Sequence, residues 1–137
     1  MGLYLCIFDE DEEIDGVGVG RYTDFNALRQ YIANKLEGTI VGSKYPLFSL
    51  HSDSDGEWSA KDCPALAREL KDIIDLMNKL PPSAFPSDWQ EALAKSYGIA
   101  PENAFESFLD VDGEFVLERI FRLAELAAEK AKPILFQ

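Results

Sequence analysis

Residues 113–137 read GEFVLERIFRLAELAAEKAKPILFQ and hold two periodicities back to back. Val116, Leu117, Ile120, Phe121, Leu123, Ala124, Ala127 and Ala128 recur at helical spacing over a wide arc, which predicts a helix from about Gly113 to Ala131. Glu118, Arg122, Glu125 and Glu129 form its polar stripe, with Glu118 one turn ahead of Arg122 in the favourable order for an ion pair. A helix with so broad an apolar face packs centrally, typically against a sheet. Pro133 cannot continue it, and Ile134-Leu135-Phe136 predicts a strand. That strand belongs inside the sheet, because a free tail would expose three large apolar side chains.

The rest of the chain supplies partners for this pair. Leu3 to Phe8 is a short apolar run that suits a buried strand. Six acids and no base follow within seven residues, Asp9 to Asp15, so this stretch is an exposed loop or a strand edge. Gly16, Gly18 and Gly20 alternate with Val17 and Val19, a pattern of a second strand or a bulged connection. A helix is predicted from about Asp24 to Leu36, capped by Thr23 or Asp24 and closed by Gly38. Pro46-Leu47-Phe48-Ser49-Leu50 reads as another strand. Ser59-Ala60-Lys61-Asp62 resembles a capping box, ahead of a helix carrying Leu66, Leu70, Ile73, Ile74 and Met77 and stopped by Pro81-Pro82. Ser87-Asp88-Trp89-Gln90 is a second capping box, opening a short helix to Tyr97 with Gly98 behind it.

This order predicts one α+β domain spanning residues 1–137. It has a small, mainly antiparallel or mixed sheet of three to four strands and about four helices packed mainly on one face.

With 137 residues, 47% hydrophobic and 28% charged, the chain can bury a real core. Its net charge of −12 argues against binding nucleic acid or an anionic membrane surface, both of which need Lys and Arg. The same field speeds encounter with a basic protein. Neither a basic leader nor a long apolar run is present, so a cytoplasmic protein is expected. Cys6 and Cys63 then read as free thiols. His51 has no metal-ligand spacing to either cysteine, and no cofactor motif appears. There is no phosphate loop and no nucleophile elbow around any serine, so the sequence predicts no enzyme.

Two stretches nearly repeat each other: Asp53-Ser54-Asp55-Gly56-Glu57-Trp58 and Asp110-Val111-Asp112-Gly113-Glu114-Phe115. Each sets three carboxylates and a glycine at a turn that reads as the opening of a helix. Such a turn can bind a cation, present acid to a basic partner, or cap the helix. Laid on an EF-hand loop, the first motif puts His51 at position one, and the second puts Phe108 there and Arg119 at position twelve. A site pooling Asp53, Asp55, Asp110 and Asp112 is the alternative, an acidic calcium-binding or adaptor module.

Four blocks, taken together, resemble one known family. They are Met1-Gly2-Leu3-Tyr4-Leu5-Cys6-Ile7-Phe8-Asp9, His51-Ser52-Asp53-Ser54-Asp55-Gly56-Glu57-Trp58-Ser59, Asp110-Val111-Asp112-Gly113-Glu114 and Pro133-Ile134-Leu135-Phe136-Gln137. The family is Immunity protein 70, small bacterial proteins encoded beside polymorphic toxins. The resemblance implies a cytoplasmic protein that binds and neutralises a cognate toxin, without fixing a binding site. A toxin that acts on nucleic acid carries a basic cleft, which an acidic inhibitor can fill by placing carboxylates where phosphates would sit. The candidate toxin-binding residues are therefore Asp9, Glu10, Asp11, Glu12 and Glu13, with Asp53, Asp55, Glu57 and Trp58 on the first turn.

Overall fold

Four strands pool their apolar sides to make the floor of the core. In the computed structural model, which describes residues 2–137, β1 (Gly2–Asp9) and β2 (Glu12–Arg21) form an antiparallel hairpin. After them come α1 (Tyr22–Leu36), α2 (Pro46–Leu50), β3 (Glu57–Trp58), α3 (Cys63–Met77), α4 (Asp88–Tyr97), α5 (Val116–Lys130) and β4 (Ile134–Phe136). The sheet order is β2-β1-β4-β3, and every pairing is antiparallel. The fold is α+β, as the sequence predicts, and the C-terminal segment is an interior strand. None of the described helices is long and apolar enough to cross a membrane.

Leu3, Leu5 and Ile7 of β1, Val17 and Val19 of β2, Trp58 of β3, and Ile134 and Phe136 of β4 all enter one buried cluster. From above, α1 contributes Phe25, Leu28 and Ile32, and α5 contributes Leu117, Ile120 and Leu123. Behind them α3 packs on α5 through Leu66, Leu70 and Ile73. Each such side chain contributes about 1.5–3 kcal/mol on leaving water, before the entropy of ordering it. Phe25, Phe48, Trp58 and Phe136 meet edge-on or stacked, with Trp58 and Phe136 centroids 4.7 Å apart.

Several local expectations are corrected by tertiary contacts. Pro46–Leu50 is a helix, not a strand. Proline stands in its first turn, where no N–H is needed. The Glu69 carboxylate of α3 accepts the Leu47 and Phe48 N–H groups at 3.2 and 3.0 Å. At the other end the buried Arg29 guanidinium of α1 donates to the His51 carbonyl at 2.6 Å. Both ends of this short helix are thus capped by side chains distant in sequence. Helix α1 starts at Tyr22, two residues early, and Asp24 caps it from inside by accepting the Arg21 N–H at 2.9 Å. Ser87 takes the N-cap position of α4 without a capping bond, and Gln90 turns away to accept the Leu109 N–H at 3.0 Å. The Ser59 hydroxyl accepts the Asp62 N–H at 3.2 Å, closing the turn that leads into α3.

Candidate functional site

The β1–β2 hairpin concentrates the acid. Asp9 pairs with Glu12 across a two-residue turn of Glu10 and Asp11, and Glu10 holds a positive φ of 59°. Asp9, Glu10, Asp11, Glu12 and Glu13 are all exposed. Lys132 reaches Asp9 at 3.2 Å, and the Tyr4 hydroxyl donates to Glu13 at 3.1 Å. Among the described residues, Glu10, Asp11 and Glu12 have neither an ion pair nor a side-chain hydrogen bond. Ionised carboxylates only accept, so the groups chemically complementary to this edge are hydrogen-bond donors.

The first repeated turn opens strand β3, not a helix. Asp53 accepts from Asn26 Nδ2 at 2.6 Å, and Asp55 accepts from the Ser52 hydroxyl at 2.8 Å. The His51 ring stacks on Phe136 at 4.0 Å and hydrogen-bonds the Glu57 carbonyl at 2.8 Å. Glu57 is exposed. Trp58 is corrected as a partner-binding residue: it is 2% exposed and donates its indole N–H to the Leu47 carbonyl at 2.8 Å. It is a core anchor.

The second turn is built around a buried acid. Asp110 is fully buried, and its Oδ1 accepts the Asp112 and Glu114 N–H groups at 2.9 and 3.0 Å. Gly113 takes a φ of +81° to close the loop. Burial raises the Asp110 carboxyl above its ordinary pKa, although the two backbone N–H groups pull the other way. Arg119 lies 3.7 Å from Asp110, 3.3 Å from Glu114 and 3.9 Å from Asp15, and donates to the Gly16 carbonyl at 3.0 Å. Sequence reasoning missed Arg119. The signal was there, because a cation just behind a helix N-terminus opposes the macrodipole and needs a tertiary partner.

The two turns do not converge. Val111 N–H donates to the Gly18 carbonyl, which sets the second turn against β2, while the first turn leads into β3. Those strands are the opposite edges of the sheet, three spacings or roughly 14 Å apart. Among the described residues, no three His, Cys, Asp or Glu side chains group as metal ligands would.

A groove runs along the hairpin beside the second turn. Each glycine of β2 makes room for one side chain. A Cβ on Gly16 would strike the Tyr4 hydroxyl, one on Gly18 would lie 2.6 Å from Val111, and one on Gly20 would lie 2.6 Å from Trp89. Trp89 is fixed by its indole N–H, which donates at 2.8 Å to buried Asp24. Burial alone would raise the Asp24 pKa, but the bonds from Trp89 and Arg21 outweigh it and hold the carboxyl below its ordinary range. The resulting cavity has a volume of about 480 Å³ and is walled mostly by apolar atoms of Leu3, Tyr4, Trp89 and Val111.

One comparison with known proteins identifies a family. The family described as Immunity protein 70 matches residues 3–136, so the chain belongs to it. No curated protein and no solved structure gives a significant match.

Proposed function

We propose that this member of the Immunity protein 70 family binds a cognate bacterial toxin and neutralises it by occupying a basic surface, without catalysis, in the cytoplasm. The observation that carries this reading is the hairpin, where Glu10, Asp11 and Glu12 stand exposed and, among the described residues, unpaired at the tip of two paired strands. Rigid strands hold the acids in place, so less conformational freedom is lost on binding than a flexible acidic tail would lose. The first repeated turn is a weaker candidate, because Asp53 and Asp55 are already held by Asn26 and Ser52. A net charge of −12 adds long-range attraction toward a basic partner.

The test pairs the purified chain with the inactivated product of the adjacent toxin gene. Acids desolvated against Arg or Lys cost about 2 kcal/mol or more each when truncated, whereas rim acids chiefly slow association. Affinity falls as salt rises, and the triple variant Glu10→Gln, Asp11→Asn, Glu12→Gln fails to protect cells from the toxin. Full protection by that variant would refute the acidic interface.

A further inference from the structure

Resting on the toxin-binding reading, we infer that the groove between β1, β2 and the 110–115 turn receives an apolar side chain of the basic toxin while the surrounding acids pair with its cations. Of the large apolar residues left exposed, Tyr4 and Ile14 lie on the hairpin and Val111 on the adjoining turn, with Tyr97 at the end of α4 packed near Gly113 of that turn. Tyr4 and Val111 are 36% and 49% exposed and face the cavity. An aromatic-walled pocket ringed by polar groups is the usual form of an interface hot spot.

The charge around the groove selects the occupant. Glu13 meets the Tyr4 hydroxyl, Asp112 follows Val111 directly and is exposed, and Glu114 and Asp15 share Arg119. Arg21, the one cation among the described residues that line the groove, is paired with buried Asp24 at 3.3 Å. None of these acids lines the groove itself, but among the described residues that adjoin or bond its walls they outnumber Arg21 and Arg119. A second copy of this chain would bring the same acids face to face, and a nucleic acid would add phosphates to them. A basic protein gains on both counts. At the other exposed apolar patch, Ile40, Val41 and Leu50, the neighbouring acid Glu37 is buried and spent on the Gly42, Lys44 and Tyr45 N–H groups.

The experiment is calorimetric titration of the inactivated toxin domain from the adjacent gene, with melting temperatures recorded for every variant. Val111→Lys puts a cation at the mouth of the groove, and Tyr4→Ala removes one wall. Each raises Kd by about 30-fold or more, the scale of a hot spot. Ile40→Lys, on the other patch, stays within about threefold of wild type. Should Val111→Lys lower the melting temperature, Tyr4→Ala decides. If both groove variants bind like wild type while Glu10→Gln, Asp11→Asn, Glu12→Gln loses binding, the groove is overturned and the acidic interface stands. Absence of binding by wild type overturns both. A dimer in sedimentation that Val111→Lys dissociates would also overturn the inference, with a second copy as the occupant.

Discussion

Two turns of nearly identical sequence, Asp53–Trp58 and Asp110–Phe115, are put to opposite uses. In the first the leading aspartate lies outside, tied by one bond to Asn26, and the aromatic is the buried anchor. In the second the leading aspartate is fully buried and organises the loop, while Phe115 is only half-buried against Phe105. The difference comes from what lies beneath each turn. Beneath the first is the aromatic cluster of Phe48, Trp58 and Phe136, which leaves no room for a charge. Beneath the second the Asp112 and Glu114 N–H groups give the buried carboxyl its hydrogen-bond partners, with Arg119 standing 3.7 Å away. A short motif does not carry its own role; the surroundings assign it.

The largest effect falls on the first turn's support. Deleting residues 133–137 removes the buried Ile134 and Phe136, the Phe136 N–H bond to Gly56 at 3.0 Å and the stack on His51. We expect a loss of about 3–6 kcal/mol, enough to unfold a marginal domain. Urea unfolding checks it, and an unchanged midpoint would refute the central placement of β4.

A smaller effect separates the leading aspartates. Asp110→Ala orphans two backbone N–H groups and takes away one of the three carboxylates around Arg119, at a cost of about 2–3 kcal/mol, whereas Asp53→Ala stays within about 0.5 kcal/mol. Equal costs would erase the contrast. The pH dependence sharpens it. Because burial raises the folded pKa of Asp110, the native chain holds that proton more tightly than the unfolded one. Its contribution is most favourable below the ordinary Asp value of about 3.9 and is lost as pH rises through the raised folded value. Asp110→Asn keeps the Oδ1 acceptor but cannot titrate. Its stability relative to wild type therefore rises across that window and is flat above it.

The smallest effect is a reactivity. Cys63 is fully buried, its thiol donates to the Trp58 carbonyl at 3.9 Å, and burial pushes its pKa up to about 11. Ellman's reagent at pH 8 leaves it unreacted in the native chain and modifies it in Trp58→Ala, where the anchor is gone. Equal rates in the two proteins would show that Trp58 does not shield it.

Strands β1 and β4 and helices α3 and α5 were legible because each carries its own signal, an apolar run or a helical stripe. Helix α2 was not. Its five residues look like a buried strand, and its two caps, Glu69 and Arg29, come from other helices. The same limit governs the site. The acid run at Asp9–Glu13 is visible in sequence, since like charges so dense must be exposed. The alternating glycines of β2 were visible too, but nothing local says that Tyr4, Val111 and Trp89 fill the space they leave. The buried fate of Trp58 was equally hidden, for an aromatic behind a turn serves a core or a partner equally well.

The position of β4 has a consequence for the order of folding. Leu5 pairs with Phe136 and Cys6 with Leu135, and β3 touches the sheet only through β4. Without β4, the segments up to Lys130 therefore present a hairpin and five helices' worth of apolar surface with no interior strand to join the sheet's edges. The sheet closes only when residues 134–136 pair between β1 and β3, so its assembly waits on contacts between segments far apart in sequence, and β3 has no place in it until then.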